Sequence, residues 1–381
     1  MSLDRSAVDD LLASVSLSGL IGRVTGTRLR GKRPMRGRCP FCGSTSREPL
    51  WVRDDWGQFG CHACGVGGDA ISFYREWEGL DFAGAVEALG ARVSELIDAR
   101  PGNGAIARAH AEDSARQRES EVERKASRDR ERMRALWLGS TMLPDTPASA
   151  YLRWRGIPAD VWPRDLRFHP AVPYWGYADT HADEKSHLGD LPCMLAVIRD
   201  VDGQGIGLHR TYLTPDGRGK LSPPGDKLRN ARKMVMGRAG TGHIDLRQDV
   251  AAPWPDRVLL AEGIESALSA WILGDRDGAP VAGISMGNIG GGSLGRRQHP
   301  RKPRATIPDG RPDLDRPGVR LPPAIRRVVL CGDGDSDPAT TKAHLDLAAI
   351  RFGLEGREAF LAMAPDGQDW NDVLAEHGVA A

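Results

Sequence analysis

Val328 to Pro338 reads VVLCGDGDSDP: an apolar run followed by aspartates at alternate positions, Asp333, Asp335 and Asp337. The run is a strand of the buried type, and the helical pattern ATTKAHLDLAAIRFGLEG follows it. Three carboxylates this close repel one another unless a cation lies among them. Neighbouring segments repeat the same order. RVLLAEG is an apolar strand ending in Glu262, with IESALSAWIL helical behind it; PVAGIS is another strand; EAFLAM leads into APDGQDWNDVL, with Asp366, Asp369 and Asp372. Alternating strands and helices predict a mostly parallel sheet covered on both faces. In such sheets ligands gather beyond the carboxyl ends of the strands, where Glu262, Asp333, Asp335 and Asp369 all fall. Oxygen ligands with room for water and phosphate point to Mg²⁺ or Mn²⁺.

Three rivals compete with this reading. The plainest is that the loop aspartates are only caps or turns, which explains any one of them but not all three strand ends together. A calcium-binding EF-hand loop starting at Asp333 needs Gly at its sixth position and Glu at its twelfth, where this chain has Pro338 and His344. GISMG around Ser285 matches a nucleophile elbow, but an elbow needs a helix directly after it, and the Gly-rich NIGGGSLG predicts none.

Upstream, Cys39 and Cys42 form one C-x2-C pair and Cys61 and Cys64 another, with 18 residues between Cys42 and Cys61. This is the spacing of a structural zinc site, each short turn offering two thiolates to one tetrahedral ion. PLWVRDDWGQFG between the pairs reads as the hairpin of a zinc ribbon. Asp69 is placed to cap a helix carrying Ile71, Phe73, Tyr74 and Trp77, and a second amphipathic helix is expected from Asp81. His62 reads as a surface side chain. Between Leu11 and Arg47 there is no acidic residue but eight basic ones, Arg33 and Arg36 among them. Such an arm marks polyanion binding better than the net charge of +1 does.

From Arg108 to Arg134 the chain is charge-laced, with Glu112–Arg116 and Glu121–Lys125 at helical spacing and almost no apolar face, as in a solvated tether. Beyond it, LPCMLAVIRDVDGQGIGLHRTYLTPDGRGK reads as a hairpin turning at Asp202–Gly203. Its second strand carries His209, Arg210 and Tyr212, and Lys220 lies past a further turn. Cations alternating with an aromatic suit either a face touching phosphates and bases or an ordinary solvated sheet face. The N-terminus lacks an apolar signal core and no run is long enough to span a membrane, so a cytoplasmic protein with reduced cysteines is expected.

The combination resembles a known family. RCPFCGSTSREPLWV with WGQFGCHACGVGGDAISF looks like the zinc-binding domain of DnaG-type bacterial and phage DNA primases. LLAEG, LCGDGDSD and GQDWNDVL look like the three acidic motifs of the Toprim catalytic fold. HRTYLTPDGRGK and ARKMVMG resemble the region before Toprim in primases of mobile elements. The resemblance covers about residues 20–90 and 135–381 and implies a multidomain α/β protein. Its parts would be a zinc-binding template-recognition domain with the basic arm (1–100), a charged helical tether (101–134), the N-terminal part of the primase core (135–250) and a Toprim catalytic domain (251–381).

It further implies a DNA-dependent RNA primase. Glu262 would be the catalytic acid or base, Asp333 and Asp335 metal ligands with Glu262, and Asp369 a further acidic site residue. Arg210 and Lys220, with Arg33 and Arg36 of the arm, would contact template or nucleotide. The implied cofactors are structural Zn²⁺ and catalytic Mg²⁺ or Mn²⁺. The implied partners are single-stranded DNA, ribonucleoside triphosphates and a separate replicative helicase, because the chain has no P-loop; no membrane is involved. A Toprim nuclease and a non-enzymatic single-strand-binding accessory protein are the alternatives. Two departures stand out: Cys42 replaces a His common in the family, and Gly291 to Pro323 is a Gly/Pro/Arg-rich insertion, read as a mobile loop that could grip nucleic acid.

Overall fold

The computed structural model describes residues 8, 11–12, 14–31, 34–42, 48–97, 120, 123–179, 182, 184–221, 230–302 and 305–377. The chain divides into two compact units, Met1–Ala126 with Ser293–Arg311, and Ser127–Gly292 with Pro312–Ala381.

In the first unit, helix α1 (Leu17–Thr25) precedes a four-stranded antiparallel sheet of β1 (Met35–Gly37), β2 (Leu50–Arg53), β3 (Gln58–Cys61) and β4 (Gly67–Gly68). The β2–β3 hairpin pairs Trp51 with Gly60. Glycine is needed there, because a Cβ at position 60 would meet the Trp51 ring at 2.6 Å. Helix α2 (Ala70–Glu78) starts where Asp69 accepts Ser72 N–H at 2.8 Å, and Asp81 likewise accepts Gly84 N–H at the start of α3 (Phe82–Ile97). The first start follows the capping expectation, and the second helix begins from Asp81 as its pattern predicts. Leu20, Ile21, Leu50, Val52, Phe59, Ile71 and Phe73 make one core beneath the ribbon.

Residues 123–138 are helical and largely exposed, as the charge pattern anticipates; residues 101–119 of the expected tether lie outside the described residues. The second unit opens with β5 (Thr141–Met142) and α4 (Pro147–Trp154), which begins in a Thr146–Ser149 capping box. Strands β5, β6 (Leu166–Gly176), β7 (Ser186–Arg199), β8 (Gly205–Tyr212) and β9 (Lys233–Gly237) form an antiparallel meander in that order. The β7–β8 turn lies at Asp200–Gln204, with Gly203 at φ 78°. The exposed-face reading of β8 fails: the strand lies inside the sheet between β7 and β9, and His209, Arg210 and Tyr212 are all buried, so side chains on both faces are shielded from solvent there.

A second sheet runs β10 (Ile244–Asp245), β12 (Ala279–Ala282), β11 (Arg257–Ala261), β17 (Arg327–Gly332) and β18 (Glu358–Met363). All its pairs are parallel except the β10 edge. Strands β11, β12 and β17 are apolar and mostly buried, as the run-type patterns predict, whereas the apolar edge strand β18 is exposed or half-buried throughout. Leu259 and Ala261 pack with α5 (Ile264–Leu273), while Val258 and Leu260 pack with α7 (Pro338–Leu354). Arg199 and His243 exchange both backbone hydrogen bonds, tying β7 to the start of this sheet.

Two local expectations change. A five-residue helix, α6 (Met286–Gly290), does follow Ser285, which acts as its cap by accepting Asn288 N–H at 3.1 Å. Within the insertion the chain forms four short strands, β13 (Gly292–Ser293), β14 (Arg296–Gln298), β15 (Thr306–Pro308) and β16 (Pro312–Asp313), β14 and β15 pairing antiparallel, rather than an unstructured loop.

Candidate active site and zinc centre

The parallel register sets Ala261 of β11 beside Cys331 of β17, so Glu262 and Asp333 emerge from adjoining strand ends. Burial raises the Glu262 carboxyl above the usual range; Asp333 adds to this, and Lys233 opposes it. Burial also pushes Asp333 up to about 6, with Asp369 and Asp335 adding to the rise. Its two oxygens are occupied: Ser266 Oγ donates to one at 3.1 Å and Trp370 N–H to the other at 3.4 Å. Asp335 is exposed.

Glycine at 334 explains how the next loop arrives. A Cβ there would lie 2.1 Å from Pro365 O, and Gly334 instead exchanges backbone hydrogen bonds with the 365–368 loop, donating to Gln368 O and accepting from Gly367 N–H. That loop delivers Asp369, which caps α8 (Trp370–Glu376) by accepting Asp372 N–H and pairs with Arg155 Nη2 at 3.0 Å. Asn371, buried, donates to Arg155 O and Ser269 Oγ and pins the helix start. Asp337, third of the aspartates, is a helix cap: its carboxylate accepts from Thr340 N–H and Oγ1. The sheet thus brings Glu262, Asp333, Asp335 and Asp369 into one neighbourhood, with Asp337 serving α7.

Beside these acids lies a cation pair that the sequence reading only half found. Glu265, 3% exposed, receives Lys220 Nζ at 3.2 Å, Lys233 Nζ at 3.1 Å and the Tyr151 hydroxyl at 2.7 Å. Burial alone would raise its pKa, but the two ammonium groups and the hydroxyl hold it well below the carboxylate range. Lys233 stays above the ordinary lysine value despite burial, because Glu265 and Glu262 favour its charge. Lys220 is lowered, burial outweighing Glu265. A Cβ on Gly263 would stand 3.4 Å from Lys233 Nζ, which places the ammonium beside the turn after Glu262. The usable signal was a lone carboxylate in the otherwise apolar IESALSAWIL, since a buried charge needs partners. Lys233 had no local signal.

Arg210 is not part of this group of ion pairs. It is 7% exposed, and its Nη1 donates to the Tyr212 hydroxyl at 3.2 Å. His209 beside it is buried too, and burial with Lys233 lowers its pKa to about 4.

In the ribbon, the Sγ atoms of Cys39, Cys42, Cys61 and Cys64 lie within 4.8 Å of one another. Among the described residues they are the one group of three or more potential metal ligands that meets this closeness. Cys39–Cys64 and Cys42–Cys61 are both 3.9 Å apart. Thiolates on a tetrahedral zinc at ~2.3 Å stand ~3.8 Å apart, so the set fits Zn²⁺ without rearrangement. Phe41, inside the first knuckle, packs on Phe73 at 5.8 Å and Trp77 at 5.8 Å, seating the metal site on the core. His62 is exposed, as expected. Arg36 lies in β1 and is half-buried, whereas Arg33 falls outside the described residues. No helix among the described residues is long and apolar enough to cross a membrane.

Residues 3–102 match the CHC2 zinc finger family, and residues 127–246 match a domain of unknown function, DUF7146. A DNA primase of Lactococcus lactis is 36% identical over 90 residues, 23% of this chain and 14% of that protein. A DNA primase of Salmonella typhimurium is 24% identical over 409 aligned residues, 100% of this chain and 61% of that protein. The chain therefore spans less than two thirds of either relative. Among solved structures, the zinc-binding and RNA polymerase domains of Aquifex aeolicus primase align at a TM-score of 0.35 and 18% identity, over 98% of this chain and 83% of that one. The Escherichia coli primase catalytic core aligns at 0.33 and 19%, over 60% and 69%.

Proposed function

We propose that this relative of the DnaG-type DNA primases is itself a DNA-dependent RNA primase, joining ribonucleoside triphosphates into short primers on single-stranded DNA. The observation that carries the reading is that Glu262 and Asp333 stand on adjoining strand ends, with the Lys233 ammonium beside Glu262. Acids and cations side by side suit a substrate that is both a polyanion and a carrier of divalent metal.

The reaction is nucleotidyl transfer: a 3′-hydroxyl forms a bond to an α-phosphate, and pyrophosphate leaves. A Mg²⁺ or Mn²⁺ ion held by Asp333, Asp335 and Glu262 would supply Lewis-acid stabilisation of the charge on phosphate. Glu262, whose carboxyl burial raises above its usual range, takes the hydroxyl proton. Lys220 and Lys233 meet the triphosphate charge, and Glu265 holds both in place. Asp369 orients Arg155 and closes the acidic edge. Arg210, packed on Tyr212, shapes the sheet beneath rather than touching template. The zinc-binding unit, with Arg36 and Arg33 of its basic arm, holds the template backbone. A separate helicase would open the duplex, and the cytoplasm is the compartment in which this reaction is needed.

The test is incubation with single-stranded DNA, labelled ribonucleotides and Mn²⁺. Template-dependent product longer than a dinucleotide is expected. Shortening of the template instead would establish the nuclease reading, and binding with neither would establish the accessory-protein reading.

A further inference from the structure

The insertion hairpin carries a charge that the catalytic edge does not use. Between Asp277 and Asp309 the sequence has no acidic residue, whereas β14 and the turn after it hold Arg296, Arg297, Arg301 and Lys302. Arg297, Arg301 and Lys302 are exposed. This hairpin sorts with the zinc-binding unit although its sequence lies between β12 and β17 of the other unit.

The link to the zinc knuckle is specific. Thr306 Oγ1 donates to Phe41 O at 3.3 Å, and Phe41 directly precedes the ligand Cys42. Arg296 holds Thr306 from the facing strand, Nε donating to Thr306 Oγ1 and Nη2 to Thr306 O, both at 2.8 Å. Arg297 pairs with Ile307 in the next register position. At the tip, His299 is buried, and its Nδ1 accepts Arg301 N–H at 3.1 Å and Lys302 N–H at 3.0 Å. At the base, Ser293 Oγ donates to Asp309 Oδ1 at 2.9 Å, and Arg311 Nε also binds Asp309. Asp309 is thus engaged with its own neighbours. Arg297 is therefore held in a paired strand, and the Arg301 and Lys302 backbones are tied to His299, so less conformational freedom is lost on binding. Arg28, Arg30 and Arg38 of the same unit are exposed as well, Arg38 adjoining Cys39.

We propose that the β14–β15 hairpin is a phosphate-gripping arm of the zinc-binding unit, taking the sugar–phosphate backbone of a single-stranded nucleic acid beside the zinc knuckle. That the nucleic acid is single-stranded, and is the template, rests on the primase reading; that the arm takes nucleic-acid phosphates does not. Basic side chains meet phosphates through charge and hydrogen bonds, with affinity but little sequence preference. Primer initiation on any template would gain from such a grip.

The experiment uses the full chain with zinc bound and a labelled single-stranded oligodeoxynucleotide of mixed sequence, followed by fluorescence anisotropy between about 50 and 200 mM salt. R297A/R301A/K302A removes three cations, each worth a slope of about 0.7 in log affinity against log salt, so the slope is to become shallower by about 2. Affinity at the lowest salt is to fall at least tenfold, with zinc content and melting temperature unchanged. R301E/K302E leaves both strands intact and is to lose at least as much, which keeps the test decisive if the triple variant folds poorly. R297K/R301K keeps the charge and is to keep the slope. Unchanged affinity, or weaker binding at an unchanged slope, would overturn the proposal. An equal loss on duplex of the same length would overturn its single-strand assignment. Nucleotide incorporation by the unsubstituted chain is measured in parallel: its absence would refute the primase reading while the arm is still judged by binding.

Discussion

Glu265 receives the Lys233 ammonium at 3.1 Å from inside a helix that is otherwise apolar, and one turn earlier Glu262 faces the same ammonium from the strand end. The lysine therefore stands between a buried structural carboxylate and a site carboxylate. Removing the first should damage the fold, whereas removing the second should damage the chemistry.

Glu265→Gln tests that division. It leaves Lys220 and Lys233 without their buried counter-charge, and breaking a buried ion pair from one side costs about 3–5 kcal/mol. Urea denaturation of the variant should show a loss of that size, and nucleotide affinity should fall as the two ammonium groups lose their anchor. Wild-type stability and affinity would show that the cluster is incidental.

Acid sensitivity follows from His209. Burial and Lys233 lower its pKa to about 4 from an ordinary ~6.5. A folded-state value below the unfolded one means stability that is full above about pH 6.5 and is lost as pH falls toward 4. The loss should be about 3 kcal/mol at ~1.4 kcal/mol per pH unit. Melting temperatures of the parent and of His209→Gln across that window should diverge, the parent falling more steeply. Parallel profiles would remove His209 from the account.

Gly334→Ala places a Cβ where Pro365 O already lies 2.1 Å away. The two acidic loops must part, so Asp333 loses its Trp370 N–H contact and Asp369 shifts. Overpacking of this kind costs about 1–3 kcal/mol. Calorimetry should show that loss, and any nucleotide-joining activity should fall much further than stability does. Equal stability and activity would mean that the loops do not need to touch.

Much of this was legible. Cysteine spacing announced the ribbon, Asp69 and Asp81 announced their helices, and strand-then-helix patterns announced the parallel sheet, because each signal is local. Lys233 was invisible because its partner lies 32 residues away and its own surroundings, ARKMVMG, look like any short strand. The alternation of His209, Arg210 and Tyr212 misled for the opposite reason: period-two patterning normally means one wet face, and here both faces are covered. The Thr306–Phe41 contact spans 265 residues, a distance at which no periodicity carries information.

Cys61→Ser tests the zinc centre. With three thiolates left, zinc affinity should fall sharply, and the ribbon core around Phe41 and Phe59 should loosen, because in small zinc modules metal binding supplies much of the folding free energy. Zinc content by atomic absorption and tryptophan fluorescence should fall together. Full zinc retention would show that the fourth sulfur is dispensable.

The central claim concerns Asp333 and Asp335, and the most direct measurement is primer yield from the Asp333→Asn/Asp335→Asn protein beside the parent, on single-stranded DNA with labelled ribonucleotides and Mn²⁺. Asn keeps the volume and removes two anions. Because burial already pushes Asp333 up to about 6, its charge at neutral pH is a cost to the metal-free fold, so melting temperature without added Mn²⁺ should hold or rise. Binding through the zinc unit should persist. The account predicts template-dependent primers from the parent and a yield at least about a hundredfold lower from the variant, as metal stabilisation of the transition state is lost. Primers made equally well by both proteins would contradict it.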